Sequence, residues 1–397
     1  MADFGLSAEQ KEFQKWIHEF AEKEVRPVAP DYDETEDFPW PVLKKAAEVG
    51  IYSFDFYMQV GQDETGLLMP IALEEMAWGC AGVTLAVMGT GLPLAALAAA
   101  GTPEQAMEWA PKMFGTPEDP KVAAFAVTEP GAGSDVSKLR STATRERDGW
   151  LLNGTKVFIT NGGIADVHVV VATVDQSLGH RGQATFIVEP GNPGIRQGKK
   201  EKKMGIRASH TAEVILEDCW VPDSQVVGGM ERLEGKLERA RSGQSSRKSG
   251  ALATFEATRP SVAAQAVGIA RAAWEYARDY ARDRETFGRP IIEHQGVAFQ
   301  LADMAMETDA ARLLTWRAAW MARTGQPFTH AEGSMSKLKA GEVAVKVTDQ
   351  AIQVLGGYGY IKDFPVEKWH RDAKIYSLFE GTSEIQRLVI SRALAAE

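Results

Sequence analysis

The hydrophobic periodicity of this chain changes twice along its 397 residues, and this change constrains the fold more than any other feature. Up to about residue 121 apolar residues recur at helical spacing. From 122 to about 227 they fall into short apolar or alternating runs separated by Gly, Asn-Gly and Pro-Gly, which is typical of β-strands. From 258 onwards the helical spacing returns. We therefore predict an α+β fold with an N-terminal helical domain (1–121), a middle antiparallel β-domain (122–227), a basic insertion (228–257) and a C-terminal helical bundle (258–397).

The same patterns locate individual elements. Ser7 and Gln10 have the spacing of a capping box, which predicts that the first helix begins at this point. Pro260 precedes a long apolar stripe and predicts a helix start nearby. Further helices are predicted over 38–49, 68–79, 103–114, 293–324 and 331–354. Strands are predicted over 122–128, 150–159, 167–174, 184–188 and 212–216, and their spacing favours a barrel or sandwich.

Charge and cysteine content exclude several classes of function. The net charge of −10 and pI of about 5.4 disfavour binding to nucleic acid or to anionic membranes. Cys80 and Cys219 are far apart, which argues against a disulfide scaffold and against a thiolate zinc site. The apolar stretch 83–100 is broken by glycines and a proline, so we expect no membrane span. With no secretory signal visible and no metal-binding motif, we expect a cytoplasmic protein that uses no metal.

A loop of small residues follows the first predicted strand. Gly131-Ala132-Gly133-Ser134 resembles the beginning of a dinucleotide fingerprint, but the third glycine is missing and no helix is predicted to follow. Small residues would still let backbone amides approach a ligand closely, and Ser134 adds a hydroxyl. Such a loop suits a pyrophosphate or the edge of a flavin.

Six sequence blocks, in order, resemble the acyl-CoA dehydrogenase family, of the straight-chain, medium-chain-like type with the base in an FEGT motif. The blocks are AFAVTEPGAGSDV (124–136), KVFITNG (156–162), KMGIRAS (203–209), RETFGRPIIEHQ (284–295), QVLGGYGY (353–360) and RDAKIYSLFEGTSEIQ (371–386). The resemblance covers nearly the whole chain. It implies a C-terminal domain of four helices, non-covalent FAD, an acyl-CoA substrate, an electron-transfer flavoprotein as electron acceptor, and a homo-oligomer, commonly a homotetramer.

The resemblance also implies roles for individual residues. Val127 and Thr128 would meet the flavin ring, while Phe158 and Thr160 would cover its other side, with Phe158 at a position where many relatives have Trp. A second group would hold the adenosine pyrophosphate across a subunit contact. The complete set implied for FAD is Phe125, Val127, Thr128, Gly133, Ser134, Phe158, Ile159, Thr160, Arg284, Thr286, Phe287, His294, Gln295, Gln353, Val354, Gly356, Gly357, Thr382 and Glu384. The set implied for the substrate is Ser134, Glu256, Arg259 and Gly381.

Glu380 occupies the position of the family's catalytic base in FEGTSEIQ. Some members place this carboxylate on the long helix after the β-domain, but the matching residue here is Thr258, which cannot serve. The base would take the α-proton of the thioester while hydride leaves the β-carbon for flavin N5, and partial desolvation would raise the basicity of the carboxylate. The resemblance further implies that the backbone N–H of Glu380 and a ribityl hydroxyl of FAD stabilise the enolate oxygen.

The sequence leaves several hypotheses about the function open. An acyl-CoA oxidase or a flavin monooxygenase would share the fold, as would a non-catalytic binding protein, including a DNA-associated one. The sequence does not identify the acyl group, although the six blocks are most similar to those of straight-chain enzymes and favour a medium or long straight chain. The basic insertion 228–257 is either a surface hairpin or loop, or a site where Arg241, Arg247 or Lys248 neutralises the CoA 3′-phosphate or gates the acyl pocket.

Overall fold

The computed structural model describes residues 5–243 and 250–395, and between 250 and 257 it describes the backbone alone. Eight helices come first, and two of them begin with capping boxes, at Ser7 and Thr102, in which a hydroxyl and a glutamine side chain each bond the other residue's backbone N–H. Their bounds are α1 Ala8–Phe20, α2 Ala29–Thr35, α3 Trp40–Glu48, α4 Phe54–Gln62, α5 Leu68–Gly79, α6 Ala81–Met88, α7 Gly91–Ala100 and α8 Pro103–Phe114. A π-helical turn over Ala21–Val25 extends α1.

The middle region is a seven-stranded sheet. Its strands are β1 Ala123–Ala126, β2 Thr142–Glu146, β3 Gly149–Thr160, β4 Val167–Thr173, β5 Gln183–Val188, β6 Ile195–Lys200 and β7 Thr211–Pro222. The order is β1-β4-β2-β3-β7-β6, and β5 pairs with β4. Most pairings are antiparallel as predicted, but β4 runs parallel to both β1 and β2. The edge strand β6 was not predicted, since IRQGKK is too polar to show an apolar pattern.

The C-terminal region is helical. Its elements are α9 Met230–Arg241, α10 Gly250–Asp283, a short hairpin of β8 Glu285–Thr286 and β9 Arg289–Pro290, α11 Gln295–Arg323, α12 Glu332–Leu355, α13 Val366–Ala373 and α14 Ser383–Leu394. The prediction that Pro260 marks a helix start is wrong, because α10 begins at Gly250 and continues through Pro260. A proline removes one backbone hydrogen bond, and here the long packed helix tolerates that loss.

Close helix contacts and buried charges join the first and last regions. Gly268 of α10 lies against α5, where a Cβ atom would be 2.3 Å from the carbonyl oxygen of Glu74. Arg271 reaches the carboxylates of Glu74 and Glu75, and Arg312 of α11 also binds Glu74. Burial alone would raise the pKa of Glu75, but the bonds from Arg271 and His18 hold it at about 2. The helical regions are therefore linked by paired, buried charges as well as by apolar packing.

Within the described residues, no single helix is both long and apolar enough to cross a membrane. Helices α6 and α7 have the length and apolar composition of a membrane span only when they are counted together, and the chain bends by 43° between them. Most of the residues of α6 and several of α7 are buried in the N-terminal core.

Candidate active site

Glu380 lies in a tight turn just before α14. Glu380 and Gly381 have consecutive positive φ angles of 53° and 90°, and we call these two residues the Glu380 turn. The side chain of Thr382 caps α14 by accepting a hydrogen bond from the N–H of Ile385. A non-glycine residue keeps a left-handed conformation only where its surroundings over-determine it, so the fold imposes this orientation on Glu380.

Glu380 is half-buried as a whole residue, but the Oε2 atom of its carboxyl group is buried. Among the described residues its Oε2 atom has no hydrogen-bond partner. Burial raises the pKa of Glu380 from 4.5 to about 7, although the positive charges of Lys337 and Arg259 act in the opposite direction. A carboxyl with a pKa near neutrality and an unoccupied acceptor can take a proton from a weak carbon acid.

Two buried cations lie beside Glu380. Arg259, predicted as a substrate contact, is 4% exposed and donates from Nη1 to the hydroxyl of Ser334 over 2.8 Å. Lys337 donates from Nζ to the carbonyl oxygen of Gly381 over 2.6 Å. The sequence analysis assigned no role to Lys337. A lysine among the small residues of α12 could have indicated a buried, functional charge. The structure thus brings together Glu380, Gly381 and Arg259 of the predicted residues.

A buried ion pair supports the small-residue loop. Lys156 of β3 binds Glu129 over 2.7 Å and the carbonyl oxygen of Val127 over 3.0 Å. Burial lowers the pKa of Lys156 to about 8, while Glu129 acts to keep it charged. The loop then leaves Gly133 and Ser134 exposed. Glu129 and Lys156 stand in the recognised blocks but were assigned no role, because a pairing 27 residues apart is not visible in the sequence.

The predicted flavin residues of β1 and β3 lie next to one another. The N–H of Val157 donates to the carbonyl oxygen of Thr128 over 2.9 Å. Phe158 has a φ of 59° at an irregularity in the β3–β7 pairing and is 66% exposed. Thr160 is half-buried, whereas the side chain of Ile159 packs inside the β-domain. Val127 is also buried in an apolar cluster, so Val127 and Ile159 would reach a ligand mainly through their backbones, whereas Phe125 is half-buried.

A second predicted group surrounds the β8–β9 hairpin, and we call it the distal group. The Arg284 guanidinium lies 5.8 Å from the ring centroid of Tyr358 and so links the hairpin to the turn after α12. His294 Nε2 is 3.1 Å from the carbonyl oxygen of Thr286. Phe287, at the hairpin tip, is 95% exposed with a φ of 52°. Gln295, Gln353, Gly356 and Gly357 are also exposed, and Val354 is buried.

The remaining predicted residues are placed as follows. The hydroxyl of Thr382 is engaged in the α14 cap, and Glu384 is exposed on the first turn of that helix. The side chain of Glu256 lies outside the described residues, as do Arg247 and Lys248 of the basic insertion. Arg241 pairs with Asp175 of the β-domain over 3.1 Å.

Three family descriptions match successive parts of the chain: "Acyl-CoA dehydrogenase, N-terminal domain" over residues 7–116, "middle domain" over 124–219 and "C-terminal domain" over 249–395. A protein of Clostridium acetobutylicum named "Acyl-CoA dehydrogenase, short-chain specific" is 40% identical over 98% of both chains. The butyryl-CoA dehydrogenase structure from Megasphaera elsdenii is 37% identical over 99% of this chain and all of that chain, with a TM-score of 0.89.

Two further solved structures resemble the chain. One, described as the electron transferring flavoprotein of Acidaminococcus fermentans, contains a chain that is 38% identical over the full length of both, with a TM-score of 0.89. The other, an FAD complex of PigA, is 27% identical over 99% of both chains, with a TM-score of 0.86.

Proposed function

The chain belongs to the acyl-CoA dehydrogenase family, and on that premise we propose that it converts a short straight-chain acyl-CoA to the trans-2-enoyl-CoA. It is an oxidoreductase, and its cofactor is FAD. The observation that carries the proposal is the Glu380 carboxyl, which is buried, has an Oε2 without a partner among the described residues and has a pKa of about 7. Such a group is suited to remove a proton from the α-carbon of a thioester.

The chain's own residues account for the proton transfer. Glu380 takes the α-proton, and its pKa near 7 places it close to the operating pH, where a general base is most effective. Arg259 and Lys337 favour the carboxylate form against the effect of burial. When bound, FAD supplies the acceptor for the hydride that leaves the β-carbon as the double bond forms.

The exposed residues of β3 and the small-residue loop fit the flavin part of FAD. Phe158 presents an exposed aromatic side chain, and Gly131 and Gly133 leave open space where a Cβ atom would lie. The Glu129–Lys156 pair would hold the loop in place against that group. The distal group, with Phe287 largely exposed on one chain, fits the adenosine pyrophosphate if a second subunit covers it.

The substrate proposal departs from the expected medium or long chain. Relatives that are 40% to 42% identical are named short-chain specific, and a structure of 37% identity is a butyryl-CoA dehydrogenase. We therefore take a chain of about four carbons as the first candidate. An electron-transfer flavoprotein is the proposed acceptor, supported by the description of the Acidaminococcus fermentans structure.

The experiment is anaerobic titration of the purified yellow holoprotein with straight-chain, branched and aromatic acyl-CoAs while the flavin absorbance is recorded. We expect bleaching by butyryl-CoA in preference to longer or branched thioesters. Glu380→Gln should keep FAD and bind acyl-CoA, but should bleach at least 10²-fold more slowly, because general-base removal costs about 10²–10⁴. Glu342→Gln, an exposed glutamate of α12, is the matched control and should react normally.

Near-normal bleaching of Glu380→Gln would refute the assignment of the base. Stoichiometric peroxide from the wild type in air, with poor transfer to an electron-transfer flavoprotein, would identify an oxidase instead. A flavin that no thioester bleaches would indicate another reaction on this fold.

A further inference from the structure

Lys337 is a buried charged side chain to which neither the sequence blocks nor the comparisons assign a role. Its residue is 1% exposed, as is Ser334 one turn earlier on α12. Gly341, one turn later on the same face, allows α12 to approach the carbonyl of Tyr376, where a Cβ atom would be 2.6 Å away. This face of α12 therefore lies directly under the segment that leads into the Glu380 turn.

We propose that Lys337 is a positioning residue for Glu380: its ammonium group holds the carbonyl of Gly381, and with it the left-handed turn that presents the carboxyl, while its charge favours the carboxylate. The inference rests on the proposed function only in taking Glu380 as the base. Lys337 itself is not proposed to touch the substrate or the cofactor.

The hydrogen bonds around Gly381 support the positioning role. Its carbonyl oxygen accepts bonds from Lys337 Nζ over 2.6 Å and from Gln386 Nε2 over 2.9 Å. Gln386 belongs to α14 and Lys337 to α12, so one carbonyl joins the turn to two helices. A glycine suits position 381, because its φ is 90° and a Cβ atom would lie 2.5 Å from Gln386 Nε2. Among the described residues, removal of the lysine leaves this carbonyl with the glutamine as its hydrogen-bond donor.

The charges around Lys337 support the electrostatic role. The pKa of Lys337 is lowered to about 8, chiefly by burial; the nearby Arg259 of α10 also acts to lower it, whereas Glu380 and Glu384 act to raise it. Lys337 is therefore mostly positively charged at neutral pH, and its charge favours the carboxylate form of Glu380. Loss of a nearby positive charge raises the pKa of a carboxyl group.

The test compares Lys337→Met and Lys337→Gln with Lys339→Met in the FAD-loaded protein. Lys339 is on the same helix, binds Glu307 and is partly exposed, so it controls for the loss of a lysine from α12. The first measurement is the infrared band of a protonated carboxyl that persists above pH 6 and disappears in Glu380→Gln. The second is the rate of flavin reduction by acyl-CoA against pH.

In both Lys337 variants we expect the midpoint of the carboxyl band to rise by about one pH unit, and in Lys339→Met to stay unchanged. The rate of flavin reduction at pH 7 should fall about fivefold with little change in KM, and it should recover at higher pH. Lys337→Gln retains a donor for the Gly381 carbonyl and should recover more completely than Lys337→Met.

A midpoint within about 0.2 unit of wild type in Lys337→Gln would overturn the proposal, even if the activity fell, as would the absence of a Glu380-dependent band in the wild type. If Lys337→Met does not retain FAD, the midpoint of the carboxyl band in Lys337→Gln decides the test. Failure of the wild type to react with any thioester would refute the proposed function, and the infrared titration would still decide the role of Lys337.

Discussion

At the scale of the residue, the site contains buried ionisable side chains, and burial disfavours the charged form of each. Glu380 has a raised pKa, and Lys156 and Lys337 have lowered ones, each because burial disfavours the charged form. The two lysines are compensated differently: Lys156 has a direct carboxylate partner, whereas Lys337 bonds a carbonyl. A carboxyl without such a direct partner is costly for the fold and useful for proton transfer.

The raised pKa of Glu380 predicts how the stability of the protein depends on pH. Between pH 4.5 and about 7 the folded chain holds a proton on Glu380 that the unfolded chain has lost, so the free energy of unfolding falls as the pH rises. Glu380→Gln removes this effect and should stabilise the protein by about 3 kcal/mol at pH 8, and by little near pH 4.5. The measurement is the difference in melting temperature from wild type across this pH range.

Glu384→Gln provides the contrast. Its own backbone N–H and the Thr382 side chain lower the pKa of Glu384, so the neutral amide should not gain stability on raising the pH. A stability difference between Glu380→Gln and wild type that does not change with pH would contradict the raised pKa of Glu380.

At the scale of the element, the first part of the basic insertion forms helix α9, which packs against the β-domain. Leu233, Leu237 and Ala240 of α9 are buried on the β-domain core or beside it. Its cations are used locally: Arg232 bonds the carbonyl of Ala100 and Lys236 that of Gln183. These contacts favour the surface-hairpin interpretation for α9, while the phosphate hypothesis for Arg247 and Lys248 stays a prediction.

A substitution at Arg241 tests whether α9 is a surface element or part of the CoA site. Because it is exposed and already pairs with Asp175, we expect Arg241→Ala to leave KM for acyl-CoA within about twofold and to change stability by less than about 1 kcal/mol. Leu237→Ala should instead lower the free energy of unfolding by about 2–3 kcal/mol, since it removes a buried side chain. Steady-state kinetics at two salt concentrations and thermal unfolding measure both. A steep, salt-dependent rise in KM for Arg241→Ala would restore its predicted role at the CoA phosphate.

At the scale of the whole molecule, one chain leaves a regular apolar stripe exposed. Phe299, Met306, Leu313 and Trp320 follow one another at intervals of seven residues along α11, with 39% to 62% of each residue exposed. An apolar stripe of this spacing is typical of a helix that packs against another helix. A second copy of the chain is the proposed partner, and the exposed distal group would be completed by the same association.

We therefore expect the 43.3 kDa chain to be an oligomer, proposed as a tetramer, when its mass is measured by light scattering. Met306→Glu combined with Leu313→Glu should shift the mass towards that of one chain and should weaken FAD binding at least tenfold, because two charges would be buried in an apolar contact. Met107→Glu, which alters an isolated exposed methionine of α8, is the control. An oligomer that survives the double substitution would place the interface elsewhere.

The sequence alone determined the order of helical and β regions, most element positions and the family, because periodicity and motif spacing are local properties. It also pointed to Glu380 by resemblance. Tertiary structure decided what depends on distant residues: the parallel β1–β4 pair, the Glu129–Lys156 ion pair, and the approach of Lys337 to Gly381, 44 residues away. A pKa depends on burial and on neighbouring charges, so the basicity of Glu380 follows only when helices α10, α12 and α14 are packed together.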